Sequence, residues 1–289
     1  MNSRPVTIAL AQHDSIHGDF EANLKKMQSW IVDAHKKGAD IICFPELGTT
    51  GYRQDMLGDK LYELAEDPQD GPTFHGLSSY AKSCNMYVVA PIVIKDPEGQ
   101  IHHEGLAKGK PIVYNAMVLI GRDGEYIGVY AKNHAFDTEE RYFALGNKMP
   151  VFDLDFGKVG IMICFDMGVV ETARVLSLKG AELLLAPSAW RVEDELMWDL
   201  NTACRALENR VYLAAVNRVG REGDELLMFG KSKVCDFDGR IVAEAHRFDE
   251  ELLICTVNLA KVRPAQKEVP YLYRRKPQNY EIFTKEDVL

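Results

Sequence analysis

The sequence has little of what several protein classes require. Its 289 residues carry 34 Lys and Arg against 43 Asp and Glu, a formal charge of −9, and no Lys/Arg-dense stretch before Tyr273-Arg274-Arg275-Lys276. That balance argues against nucleic acid and anionic membrane surfaces as partners. No apolar run approaches the roughly 18 residues of a membrane span. The short apolar run within Met1 to Ala11 is broken by Gln12, His13 and Asp14, too early for a signal-peptide core, and reads as a first strand. Six cysteines, at 43, 84, 164, 204, 235 and 255, are separated by 41, 80, 40, 31 and 20 positions. No pair has the spacing of a zinc knuckle or a redox dithiol, and disulfide scaffolds are smaller and denser in cysteine. A cytoplasmic chain with reduced thiols is expected.

Motifs for bound groups are equally scarce. No G-x-x-x-x-G-K-[ST] loop is present, and no G-x-G-x-x-G follows a strand, so a nucleotide cofactor has no support. Among eight histidines, His13 and His17 have helical spacing, but Gly18 and a capping Asp19 place them in a loop. His102 and His103 are adjacent and would point opposite ways in an extended segment. Without H-E-x-x-H, or H-x-H beside a carboxylate, neither metal nor cofactor is expected.

What is present is globular. Hydrophobic residues make up 46%, aromatics 9% and charged residues 27%, which excludes disorder, collagen-like repeats and a coiled coil. A prior of about 150 residues per domain gives two domains, but the pattern runs without a linker. Val6 to Ala11 is a strand, and Asp19 caps a helix with apolar positions Phe20, Leu24, Met27, Ile31 and Ala34, stopped at Gly38. Asp40 to Phe44 follows as a buried strand. Helix and strand alternate again at Phe74–Ser83 and Tyr87–Ala90, at Val170–Leu178 and Leu183–Ala186, and at Glu193–Asn209 and Val211–Val216. Hairpins form about Arg122-Asp123-Gly124 and Asp238-Gly239-Arg240. Mixed sheets covered by helices are implied. We divide the chain into one domain, 1–262, and an extended tail, 263–289, with three prolines and several tyrosines, which must pack on something such as a second subunit.

Three residues at strand ends stand out. The nearly continuous apolar run Lys158 to Ile163 ends at Cys164, and a helix follows soon after. A thiol at such an elbow faces substrate beside free backbone N–H groups. Alone, it is more often a small buried hydrophobe. Glu46 lies just beyond the strand Ile41 to Phe44, where α/β sheets place their crevice, and Lys132 ends the strand Ile127 to Ala131. Either one alone reads as a solvated turn or strand end.

Together, Phe44-Pro45-Glu46, Tyr130-Ala131-Lys132-Asn133-His134 and Gly160-Ile161-Met162-Ile163-Cys164-Phe165-Asp166 resemble, in order, the three motifs of the nitrilase superfamily of carbon–nitrogen hydrolases. Similar words recur at Glu139 through Phe143, Gly180-Ala181-Glu182, Pro187 to Trp190, Arg205 to Asn209 and Asn217 to Gly220, so the resemblance spans about Val6 to Leu259. It implies a four-layer α-β-β-α sandwich with mixed sheets. It also implies a catalytic Glu-Lys-Cys triad at Glu46, Lys132 and Cys164, with Glu139 as a second, substrate-positioning glutamate. Subunits of the family pair through helical layers, which implies a homodimer or higher homo-oligomer and gives the tail a neighbour to reach. The chain departs from the usual family words at Phe165, at Val169-Val170-Glu171, which lacks a proline, and at Ala135.

The expected chemistry is attack by Cys164 on a carbonyl or nitrile carbon, with Glu46, its pKa raised in a crevice, moving the proton. Lys132 and the Phe165 N–H would face the oxyanion, and Lys132 would favour the thiolate. His134 is a rival base. Phe165-Asp166 after the nucleophile favours, by the resemblance, hydrolysis of a small primary amide, then N-carbamoyl amine or amino-acid hydrolysis, then nitrile hydrolysis. A catalytically silent binding or scaffold protein is the non-enzymatic alternative. Trp190, placed near the nucleophile by the resemblance, either positions substrate or is a core residue, and Tyr52, Tyr114, Asn115 and Arg191 are candidate pocket residues. Arg191 would bind a substrate carboxylate or pair with Glu193.

Overall fold

The computed structural model describes residues 3–95 and 109–280; the His102-His103 pair and the end of the tail lie outside the described residues. The first sheet takes β1 (Pro5–Gln12), β2 (Ile41–Cys43), β3 (Tyr87–Lys95), β4 (Val113–Ile120) and β5 (Tyr126–Ala131). The second takes β6 (Val151–Leu154), β7 (Gly157–Ile161), β8 (Leu183–Ser188) and β9 (Tyr212–Asn217). A separate hairpin, β10 (Val219–Glu222) and β11 (Leu226–Phe229), precedes β12 (Lys233–Cys235) and β13 (Ile241–Glu244), which complete the second sheet. Last comes β14 (Glu251–Asn258), which returns to pair antiparallel with the whole of β1, from Pro5 opposite Asn258 to Gln12 opposite Glu251.

The resulting orders are β14-β1-β2-β3-β4-β5 and β13-β12-β9-β8-β7-β6. In each sheet three parallel strands, β1-β2-β3 or β7-β8-β9, are flanked by antiparallel neighbours. Mixed sheets of this kind follow from helical crossovers combined with tight hairpins.

Strand alternation builds the layers. Along β1, Ile8 and Leu10 join a core shared with Ile161, Leu183 and Leu213 of the second sheet. Ala9 and Ala11 turn instead to Leu24, Met27, Ile31 and Ala34 of α1 (Phe20–Lys36). Two single turns, α2 (Gln54–Leu57) and α3 (Lys60–Glu63), lead to α4 (Pro72–Cys84), which lies beside α1. Helices α5 (Val170–Leu178) and α6 (Glu195–Asn209) cover the second sheet, with Leu176, Trp198 and Ala206 buried in its core. The four-layer α-β-β-α sandwich is the expected one. Its local signals also hold: the Ala22 N–H donates to Asp19 Oδ1 at 3.1 Å, and Gly38 takes φ +74° after α1.

The tail differs from expectation. It does not start out extended at Arg263, because α7 (Val262–Glu268) occupies that position. Pro264 sits in its first turn, where a missing N–H breaks no helical bond. Val262, Ala265 and Gln266 are buried, and Arg263 donates to the Gly180 carbonyl at 2.8 Å, so this helix packs on its own domain. All six cysteines are free. Among the described residues, no helix is long and apolar enough to cross a membrane.

Candidate active site

The three strand-end residues meet at the carboxyl ends of the parallel strands, where an open α/β sheet leaves its crevice. Glu46 leaves β2 through a turn, and the next residue, Leu47, has φ +49°. Cys164 itself has φ +49° and opens a short 3-10 turn after β7. Asp137, at φ +51°, sits two residues before Glu139. A non-glycine residue held there costs on the order of 1–3 kcal/mol, which the surrounding structure must over-determine. For Cys164 the source of that constraint is Asp166. Its fully buried carboxylate accepts from the Tyr130 hydroxyl at 2.6 Å, the Ile163 N–H at 2.9 Å, the His134 N–H at 3.0 Å and His134 Nδ1 at 2.7 Å. It thereby ties the Cys164 turn to the segment that follows Lys132.

Lys132 lies between two carboxylates. Its Nζ donates to Glu46 Oε1 at 2.7 Å and to Glu139 Oε2 at 2.7 Å and Oε1 at 3.0 Å. All three side chains are at most 3% exposed. Asn115 donates to the same Glu46 Oε1 at 2.7 Å, and the Phe136 N–H donates to Glu139 Oε2 at 2.9 Å. Glu46 Oε2 has no fixed partner. The Cys164 thiol lies close enough to Glu46 for each group to shift the pKa of the other.

Burial dominates the electrostatics. It pushes the Glu46 carboxyl above its ordinary value, against the pull of the Lys132 charge and with the help of Glu139. Burial alone would lower the Lys132 ammonium, but Glu139, Glu46 and Cys164 together carry it well above its ordinary value. The Cys164 thiol is pushed well up, by burial first and then by the Glu46 charge. Lys132 does pull it down, as expected, but burial and the two glutamates outweigh that pull. The resting sulfur is therefore a thiol.

Cys164 and Glu139 open onto a cavity of about 780 Å³, within the usual range for small-molecule sites. Tyr52, Phe136, Phe165, Trp190 and Arg191 also line it. Burial, together with the nearby acidic Glu139 and Glu46, raises the Tyr52 pKa well above normal. Phe165 packs on Phe136 with ring centroids 5.3 Å apart. Trp190 fits both of its expected roles: it is core, 6.0 Å from the Trp198 ring, and it faces the cavity, with an indole N–H that has no partner. Arg191 pairs with Asp194 at 2.8 Å, with Glu193 farther off at 4.0 Å, and lies over the Phe136 ring.

Two candidates fall elsewhere. Asn115 is outside the cavity lining, because its β4 position turns the amide toward Glu46 and makes it a brace for that carboxylate. Tyr114, its neighbour, belongs to the core between the first sheet and its helices. His134 bonds Asp166 rather than the sulfur. Sequence reasoning missed Glu222, which accepts the backbone N–H groups of Tyr52 and Arg53. Its position in a polar strand of a hairpin gives no signal of that contact. Among the described residues no group of three or more His, Cys, Asp or Glu is arranged to hold a metal.

Comparison with known proteins shows the family. The carbon–nitrogen hydrolase family profile matches residues 7–267. A probable nitrilase of Schizosaccharomyces pombe is 33% identical over 267 residues, covering 89% of this chain and 93% of the relative. A citrullinase of Francisella tularensis is 30% identical over 279 residues, covering 91% and 93%. The crystal structure of a carbon–nitrogen hydrolase from Helicobacter pylori superposes with a TM-score of 0.86 at 25% identity, covering 98% of this chain and 99% of that one.

Proposed function

Because the chain belongs to the carbon–nitrogen hydrolase family, we propose that it hydrolyses a small primary amide through a thioester on Cys164. The products are ammonia and a carboxylic acid. The observation that carries this reading is the arrangement of Glu46, with one oxygen fixed by Lys132 and Asn115 and the other unpartnered beside a buried neutral thiol.

In the first step the sulfur bonds the amide carbon as its proton passes to Glu46, and the carbonyl electron pair moves onto oxygen. Lys132 and the Phe165 N–H stabilise that oxyanion; a donor of this kind is typically worth about 2.7–4 kcal/mol. Collapse breaks the C–N bond, and the Glu46 proton leaves with the nitrogen as ammonia. Water then attacks the thioester and gives a proton to Glu46. The C–S bond breaks, and the sulfur takes that proton back. Glu139 keeps the Lys132 ammonium in place throughout, and with Trp190 it forms part of the wall that orients the substrate. Arg191 and Tyr52 complete that wall.

Phe165-Asp166 after the nucleophile supports an amide substrate. Cleavage of an N-carbamoyl group is the second reading, supported by the citrullinase relative; nitrile hydrolysis comes third. Measuring ammonia release across short aliphatic and aromatic amides, ureido acids and nitriles tests all three. Release from amides first supports the proposal, and release from ureido acids or nitriles alone overturns it. No release, with no covalent adduct on Cys164, indicates a silent scaffold.

A homo-oligomer pairing through α5 and α6 fits the exposed Val170, Leu178, Leu196 and Leu200 on those helices. Residues beyond α7 would reach the neighbour. Light scattering gives the mass. Six free thiols suit a reducing, cytoplasmic setting.

A further inference from the structure

We propose that Glu222, held by Arg218, is a positioning residue that sets the Tyr52 hydroxyl against Glu139 and so fixes the Lys132 end of the site. The inference rests on the amidase reading for its kinetic test, but its geometry is independent of substrate. Glu222 ends β10 and is 3% exposed, while Arg218 is fully buried. The carboxylate takes the Tyr52 N–H at 3.0 and 2.8 Å, the Arg53 N–H at 2.8 Å and Arg218 Nη2 at 2.5 Å. Arg218 Nε and Nη1 have no partner, and its remaining contacts are weak, 3.4 Å to the Ser15 carbonyl and 3.8 Å to Asp14. A buried guanidinium with so few partners depends on this one carboxylate for compensation.

The clamped segment leads directly into the site. Tyr52 lines the cavity together with Glu139 and Cys164, close enough to Glu139 for that carboxylate to raise its pKa, and Glu139 holds Lys132. The clamp therefore acts on the backbone of a residue that shares the cavity wall with Glu139. Gly51 shows how close the fit is. It has φ +91°, and a Cβ there would lie 2.7 Å from the His17 ring and 3.2 Å from Glu222 Oε1. The hairpin also reaches the cavity itself. Glu225 and Leu226 line the cavity, and Met228 bridges to Arg191. One hairpin therefore supports both Tyr52 and Arg191 in the cavity lining.

A double-mutant cycle of Glu222→Gln and Tyr52→Phe tests the proposal, read as kcat and KM for ammonia release from the best amide. Each single variant is expected to lower kcat about tenfold or more. The double variant should fall no further than the worse single one, because both act through the same hydroxyl. Losses that multiply, or a Glu222→Gln enzyme with wild-type kcat, overturn it. If Glu222→Gln does not fold, Gly51→Ala replaces it, since its Cβ would press on the His17 ring and on Glu222 Oε1 and so displace the Tyr52 segment while both charges of the buried pair remain. If the wild-type protein releases no ammonia from any amide, the amidase reading fails by itself. The clamp is then read from the rate at which iodoacetamide alkylates Cys164. Equal slowing in both singles and the double supports it, and multiplied or absent slowing overturns it.

Discussion

Asp166→Asn is the substitution that most directly tests how the fold holds Cys164. The carboxylate accepts four hydrogen bonds, two on Oδ1 from His134 and two on Oδ2 from Tyr130 and Ile163. An asparagine keeps one oxygen, so either the His134 or the Ile163 backbone N–H loses its acceptor whichever way the amide turns, while its NH₂ can still donate to the Tyr130 hydroxyl or to His134 Nδ1. Hydrogen bonds to a charged group contribute about 1.5–3 kcal/mol each, so the loss is at least that of one such bond. That is as large as the cost of holding Cys164 at φ +49°, on the order of 1–3 kcal/mol, so the turn is free to relax. A displacement of about 1 Å at a reacting atom is enough for roughly a 100-fold loss of rate. Urea unfolding should show the stability loss, and single-turnover ammonia release should show the fall in rate. A variant within about 1 kcal/mol of wild-type stability and with unchanged turnover would refute the assignment of Asp166 as the anchor.

Three further outcomes follow from the same contacts. Glu46→Gln should lose about 100-fold or more in turnover while unfolding like wild type, and His134→Ala should stay within about tenfold of it; the reverse pattern in ammonia release would make His134 the base. His13 is fully buried, and burial lowers its pKa from 6.5 to about 4, so the unfolded chain binds the proton first as pH falls. Stability is complete above the unfolded value and is lost between pH 6.5 and about 4. At about 1.4 kcal/mol per unit this comes to roughly 3 kcal/mol. Chemical denaturation at pH 7 and pH 4.5 should show this slope, with a flatter one for His13→Gln. Finally, Asn115→Ala, which removes the brace on Glu46, should lower kcat with little change in KM, and a pure KM effect would return Asn115 to the substrate pocket.

Much of the site was legible because its chemistry sits at strand ends that the sequence marks locally. Ile41 to Phe44 before Glu46 and Val159 to Ile163 before Cys164 are buried apolar runs, and the first residues past such runs face the crevice. The Asp19 cap and Gly38 stop of α1 are likewise local events. What stayed hidden depends on pairing across the chain. β14 meets β1 with some 250 residues between them, and its half-buried pattern of Glu251 to Asn258 shows no sharp alternation. Asn115 has the polarity of a pocket residue, but its neighbour across the fold, Glu46, decides where the amide points. The prolines at 264 and 270 suggested an extended tail, yet Pro264 falls in the one turn of α7 that tolerates it. Glu222 looks like a surface hairpin residue until Arg218 and the Tyr52 backbone close on it.

The central claim is that Cys164 carries the acyl group. Mass spectrometric peptide mapping of enzyme quenched during turnover of its best amide tests it most directly. The account predicts a mass increase on the Cys164 peptide equal to the substrate less ammonia, present in wild type and missing in Cys164→Ala. Steady ammonia release with an unmodified Cys164 peptide, or with the adduct on another residue, would contradict it.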